Sequence, residues 1–187
     1  MGRPKALLPC PLTGRTFVTQ LITALHDGGL AEVGVVGRAG DQGLRDEVSA
    51  ASPPVTYLEN RSPELGQLSS LLVGIDYAER HRAAGALVVP VDMPLIRAAT
   101  VRAALEAFMR HDEPVLRVTH RGRHGHPVIF GAPLFAALRQ ADPSQGARAV
   151  VREDPSRVRE IEVDDPGVLR DIDFPDEYRE LFGRDPR

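Results

Sequence analysis

The sequence has one cysteine, no tryptophan, only 5% aromatic residues and, among its 23 basic residues, a single lysine. Each shortage excludes something. Cys10 alone can form neither an internal disulfide nor a Cys-rich zinc site. No apolar run approaches the ~18 residues of a membrane span. Met1-Gly2-Arg3-Pro4 starts no signal peptide, because no apolar segment of suitable length follows it. A reducing, cytoplasmic location is therefore expected. The formal net charge of −3 offers no excess of positive charge for nucleic acid. Neither nucleic acid nor a membrane is expected as a partner.

What is present fits a folded enzyme-sized unit. Hydrophobic residues at 42% and charged residues at 26% over 187 positions are enough for a core without a staple. No repeat, low-complexity tract or long linker interrupts the chain, so residues 1–187 read as one domain. Apolar residues at helical spacing, Phe17, Leu21, Ile22 and Leu25, predict a helix over Thr16–Asp27, capped by Thr16 and ended by Gly28-Gly29. Similar reasoning predicts helices over Gln42–Ala50, Gln67–His81 and Thr100–Arg110. Strands are predicted at Glu32–Gly37, Pro54–Leu58 and Ala86–Val91, the last so apolar that it should be covered on both faces. This alternation reads as α/β with a mainly parallel sheet. Farther on, Pro114–Val118 and Val128–Phe130 read as strands flanking a loop, Thr119–Pro127. Short helices follow at Pro133–Gln140 and Ala147–Glu153, then a strand at Val158–Val163 and a closing helix at Pro175–Phe182.

Several side chains stand where chemistry is possible. Lys5 is the lone lysine, and lysine meets a phosphate oxygen as a mobile point charge where arginine offers a planar fork; the bias toward arginine is equally what coding composition would produce. Asp92 follows the buried strand directly, and ligands in α/β sheets bind beyond the carboxyl ends of strands. A carboxylate there suits Mg²⁺ or caps the next helix. Asp171 and Asp173 share one side of the chain if the segment is extended, where one can join Asp92 around a metal or cap a helix. The segment His120–Pro127 holds three of the six histidines, but Arg117, Arg121 and Arg123 oppose a cation and favour an anionic small molecule. Gln67, Ser69 and Ser70 at a helix start can read a nucleobase edge, meet a phosphate, or simply cap.

Together these segments resemble the MobA-like NTP transferases, most closely the molybdenum cofactor cytidylyltransferase branch. The resemblance is carried in order by GRPKALLP (2–9), ELGQLSSL (64–71), PVDMPL (90–95), RGRHGHPVIF (121–130), GARAVV (146–151) and DDPGVLRDIDFP (164–175). It implies a three-layer, Rossmann-like (GT-A-like) nucleotidyltransferase fold with a mainly parallel sheet and a small hairpin. It implies that Arg3 and Lys5 meet the nucleotide, that Lys5 and Asp92 are catalytic, and that Asp92 and Asp173 bind Mg²⁺. Asn60, Gln67, Ser69 and Ser70 would lie near base and ribose. Arg123, Gly125 and His126 would face an anionic phosphate ester such as molybdopterin. The implied reaction moves a nucleoside monophosphate from an NTP, CTP favoured over GTP, to that phosphate, with pyrophosphate leaving. A molybdoenzyme or its chaperone is the protein partner implied. The alternatives are a sugar-phosphate nucleotidyltransferase or a non-catalytic accessory protein.

In the family a strand and a glycine-rich loop, AAGxSxR, precede the segment that begins here at Met1. The expectation is a fold lacking that first strand between Val33–Val36 and Ala86–Val91, and about 15–20 further residues in the natural protein, the size of one strand and its loop. Phe174 stands where the family often has a helix-capping Thr.

Overall fold

In a computed structural model, which describes residues 4–186, the chain enters through a 3₁₀ turn, Lys5–Leu7, and a small antiparallel pair, β1 (Pro9–Cys10) and β2 (Arg15–Thr16). Thr16 then caps α1 (Phe17–Asp27) reciprocally: its hydroxyl accepts from the Thr19 amide at 3.3 Å, and the Thr19 hydroxyl accepts from the Thr16 amide at 3.0 Å. A β-α-β-α-β run follows: β3 (Gly34–Arg38), α2 (Gln42–Ser49), β4 (Thr56–Asn60), α3 (Gln67–Arg80) and β5 (Gly85–Val88). After α4 (Ala98–Arg110) come β6 (Val115–His120) and β7 (Arg123–Gly131), then α5 (Phe135–Gln140), α6 (Ala147–Glu153), β8 (Val158–Glu162) and α7 (Pro175–Phe182).

Helices cover both faces of the strands, giving the expected three layers. On one side Ile75 and Ala78 of α3 pack with Phe135 and Leu138 of α5 against Val115 and Phe130. On the other, Val18 and Ile22 of α1 meet Val48 of α2, and Leu21 of α1 meets Val101 of α4. A separate cluster joins the two ends of the chain: Leu8, Cys10 and Phe17 enclose Ile172 and Tyr178, whose hydroxyl donates to the Pro9 carbonyl at 2.8 Å.

The strands depart from a mainly parallel sheet. β3 and β4 pair in parallel, but the larger sheet has the order β5-β7-β6-β8 and is mixed. β7 runs antiparallel to both neighbours, and only β6–β8 is parallel. The reason is local: a two-residue turn between β6 and β7 can only return the chain antiparallel. Among the described residues β3 and β5 do not pair with each other, and α3 packs across both. All four residues of β5 are half-buried, not covered on both faces as the apolar run 86–91 predicts.

Candidate functional site

The cluster around Ile172 decides where the distant acids go. Ile172 is fully buried, and its amide donates to the Asp92 carbonyl at 2.9 Å. Its flanking residues therefore project outward, and both Asp171 and Asp173 are exposed. Of the two, Asp173 reaches Lys5, which also lies 3.3 Å through Nζ from Asp92 Oδ2. A 3₁₀ turn, the turn after β5 and the extended entry to α7 thus bring three charged groups together. Burial pulls the Lys5 ammonium down, but its bonds to Asp173 and Asp92, with their charges, outweigh this and hold it above its ordinary range. The lysine stays charged at neutral pH. Two carboxylates converging on one cationic point form a donor set that suits Mg²⁺, which takes one or two carboxylates plus phosphate oxygens and water. Arg3 lies outside the described residues.

The segment expected as a loop over 119–127 is largely strand. Arg121 and Gly122, with φ of 52° and 70°, make a two-residue turn of the kind that fits strand twist. Beyond it the ladder slips between Arg117 and Thr119, so that Gly125, His126 and Pro127 stand opposite the single residue Val118. The GHP motif is therefore a bulge. A Cβ on Gly125 would lie 2.4 Å from the Val168 carbonyl oxygen, so glycine lets the 3₁₀ turn Pro166–Leu169 close on β7. His126 is half-buried near the Val88 carbonyl, within the electrostatic reach of Asp92 and Asp171. Burial pushes its pKa below the ordinary imidazole value; the Val88 carbonyl and the two acids offset this in part, while Arg148 adds to it. Arg123 goes elsewhere, into a cleft at the hairpin tip. The three histidines do not converge: His120 bonds the Val163 carbonyl, His124 meets Glu160, and His126 turns to Val88.

The candidate nucleotide residues divide. Asn60, only 3% exposed at the end of β4, donates to Ser69 Oγ at 2.9 Å and Ser70 Oγ at 3.0 Å and accepts from the Ser62 amide at 2.9 Å. It ties β4 to the first turn of α3. The N-cap of α3 is Gly66, which supplies no capping side chain, while Gln67 is exposed there.

Four residues that shape this region, Asp165, Glu162, Arg170 and Glu177, have no distinct signal in the sequence. Asp165, 2% exposed, accepts from the Arg97 amide, the Thr100 hydroxyl and the Gly167 amide at 2.6–3.0 Å, anchoring the start of α4 beyond Asp92. Glu162 accepts from Thr119 Oγ at 2.7 Å and from the Arg121 and Gly122 amides, holding the turn. His120 and Arg170 line the cleft beside Arg123. At α7, Glu177 accepts from the amides of Asp173 and Phe174, so the cap that Phe174 cannot make is closed from the helix side.

Residues 1–159 match the MobA-like NTP transferase domain. A probable molybdenum cofactor guanylyltransferase of Rhodopirellula baltica is 35% identical over 94 residues, a stretch covering 50% of this chain and 43% of that protein. The match thus spans less than half the relative's length. Among solved structures, Rv0371c from Mycobacterium tuberculosis H37Rv superposes with a TM-score of 0.81 at 22% identity, covering 98% of this chain and 91% of that one. Its complex with manganese gives a TM-score of 0.75 at 24% identity over 98% and 94%. A nucleotidyl transferase from Methanothermobacter gives 0.78 at 23% over 96% and 83%. The Rossmann-like α/β fold of the nucleotidyltransferases is shared with these structures.

Proposed function

The chain belongs to the MobA-like NTP transferase family, a family of nucleotidyltransferases, and from that premise we propose that it transfers a nucleoside monophosphate from an NTP to a phosphate-bearing acceptor such as molybdopterin. Residues 1–187 act as one domain in this reading, in a cytoplasmic setting. The observation that carries it is the meeting of Lys5, Asp92 and Asp173 beyond the end of β5. Asp92 and Asp173 would hold the divalent cation, a reading supported by manganese in the related Rv0371c complex. When bound, Mg²⁺ supplies charge neutralisation at the phosphates.

Lys5 contributes a second positive charge at the phosphates, on a flexible stem that can follow a moving oxygen. An oxygen of the acceptor phosphate attacks the α-phosphorus; a new P–O bond forms there as the bond to the β-phosphate oxygen breaks, and pyrophosphate leaves with the electron pair. A phosphate nucleophile is already ionised near neutral pH, so the site needs no strong general base. Positioning and electrostatics do most of the work. Asn60, Ser69 and Ser70 fix the start of α3, next to which Gln67 meets base or ribose. Neutral His126, beside Asp92, offers the acceptor a hydrogen bond without adding charge. Arg123 supplies positive charge on the acceptor side.

The test is pyrophosphate release with Mg²⁺, pairing CTP or GTP with molybdopterin, a sugar phosphate or an alditol phosphate. Release with molybdopterin, greater with CTP than GTP, is the expected result. Release only with sugar or alditol phosphates would reassign the acceptor. Binding of a phosphorylated pterin without turnover would leave an accessory binding protein.

A further inference from the structure

The hairpin tip, the 166–170 turn and α7 enclose a cleft of about 440 Å³, whose lining includes His120, Arg121, Arg123, Leu169, Arg170 and Asp171. Its lining carries three guanidiniums against two carboxylates, Asp171 and Glu177, and so keeps an excess of positive charge. Several arginines are matched with acids, Arg139 with Asp76 and Glu79, Arg179 with Asp176 and Asp185, Arg117 with Glu160; what sets the cleft apart is that it gathers three unmatched ones in one place. Among the described residues, none of the side chains of Arg121, Arg123 and Arg170 makes an ion pair or hydrogen bond. Apart from Asp171, the acids near the cleft are engaged with backbone amides. Glu162 turns to the amides of the hairpin turn and to Thr119, while Glu177, also on the cleft wall, holds the amides of Asp173 and Phe174. His120, 8% exposed, gives its Nδ1 proton to the Val163 carbonyl at 2.8 Å and leaves Nε2 free to the cleft.

One wall of the cleft leads along the chain to the proposed reaction centre. Asp171 lines it, and two residues on, Asp173 bonds Lys5. Two extended residues advance about 7 Å, so the cleft opens within one small-molecule length of the reacting phosphate. Three unpaired guanidiniums in such a cleft match an anion, which they can grip through paired N–H donors.

Resting on the transferase reading, we propose that this cleft binds a second anionic group of the acceptor, remote from the phosphate that reacts. The acceptor class is then a molecule anionic at both ends, with a short body lying past Asp171. Asp171 turns away acceptors whose charge falls midway.

Calorimetric titration with hexyl phosphate and with 1,6-hexanediol bisphosphate tests this. The wild-type protein should bind the bisphosphate at least tenfold tighter. Arg123→Gln/Arg170→Gln should lose that preference while keeping its melting temperature, and Arg123→Lys/Arg170→Lys should regain part of it. Equal affinity for the two probes in the wild type, or a preference untouched by the Gln pair, overturns the proposal. Asp92→Asn separates the two readings, since it should abolish nucleotidyl transfer and leave the preference intact. A preference without transfer by the wild type with any acceptor sinks the transferase reading alone. Transfer without a preference sinks the cleft alone.

Discussion

Lys5 Nζ lies 3.3 Å from Asp92 Oδ2 although the two residues are 87 positions apart, and the same ammonium also meets Asp173. One cation thus holds together two acids that would otherwise repel. Two consequences follow for variants, one at each pole of the pair.

Asp92→Asn should abolish pyrophosphate release while leaving the fold intact. The side chain is partly exposed in a turn, so loss of its charge removes a metal ligand and little packing. Activity and circular dichroism check the two halves separately. Near-normal turnover at limiting Mg²⁺ would show that Asp92 is not a metal ligand.

Lys5→Met should act in opposite directions on metal and on catalysis. Without the ammonium, Asp92 and Asp173 lose their internal partner, so Mn²⁺ in the absence of nucleotide should bind tighter. Turnover should fall at least about 100-fold, comparable to the loss of one preorganised stabilising donor. Titration of free Mn²⁺ by electron paramagnetic resonance reads the first effect. Unchanged or weaker Mn²⁺ binding would mean that the lysine and the metal do not share these carboxylates.

His126 gives a dependence on acidity. Its folded pKa is depressed below the ordinary value of 6.5, chiefly by burial. The unfolded chain therefore takes the proton first as pH falls. The contribution is fully present above the unfolded value and is lost as pH drops through the depressed folded one. Urea unfolding at pH 7.5 and pH 5.0 should show a loss of stability that His126→Gln reduces. His126→Ala should also raise KM for the acceptor more than KM for the NTP. Equal changes in both KM values would give the ring a purely structural role.

Gly125→Ala should destabilise by about 1–3 kcal/mol, the usual cost of forcing atoms into a packed site. The new Cβ would stand 2.4 Å from a backbone oxygen of Val168, which cannot swing aside as a side chain can. Thermal unfolding measures it. A wild-type melting temperature would show that the 166–169 turn can retreat from β7.

Much of the fold is legible in one dimension because its causes are local. The helix over Thr16–Asp27 is the clearest case: a four-residue apolar stripe, a reciprocal Thr cap and a glycine pair all act within a turn or two, and α1 spans Phe17–Asp27 with Thr16 as its cap. The prediction over 119–127 misreads what is local and what is not. Three histidines and two glycines look like a loop, yet Glu162, about forty residues on, holds the turn amides and lets β6 and β7 pair almost to their tips. The mixed sheet was unreadable for a related reason. Apolar composition marks a strand but carries no direction, and β7 inserts between β6 and β5 only through pairing with both.

The site divides along the same line. Lysine at position 5 and an acid at the end of an apolar strand are visible as residue types with a chemistry, and the sequence by itself determined which groups are available and roughly where each element begins. Alternation also limits Asp171 and Asp173 to one side of their segment. Which of the two joins Asp92 was decided by tertiary structure, because the choice depends on Ile172 being buried among Leu8, Phe17 and Tyr178 and bonding the Asp92 carbonyl. Likewise only the folded chain shows that Arg123 enters the cleft at the hairpin tip while His126, in the bulge against Val118, turns to the Val88 carbonyl. Local propensities act over a few residues and are written in the order of the chain; burial and strand pairing act between parts of the chain that only folding brings within a few ångströms.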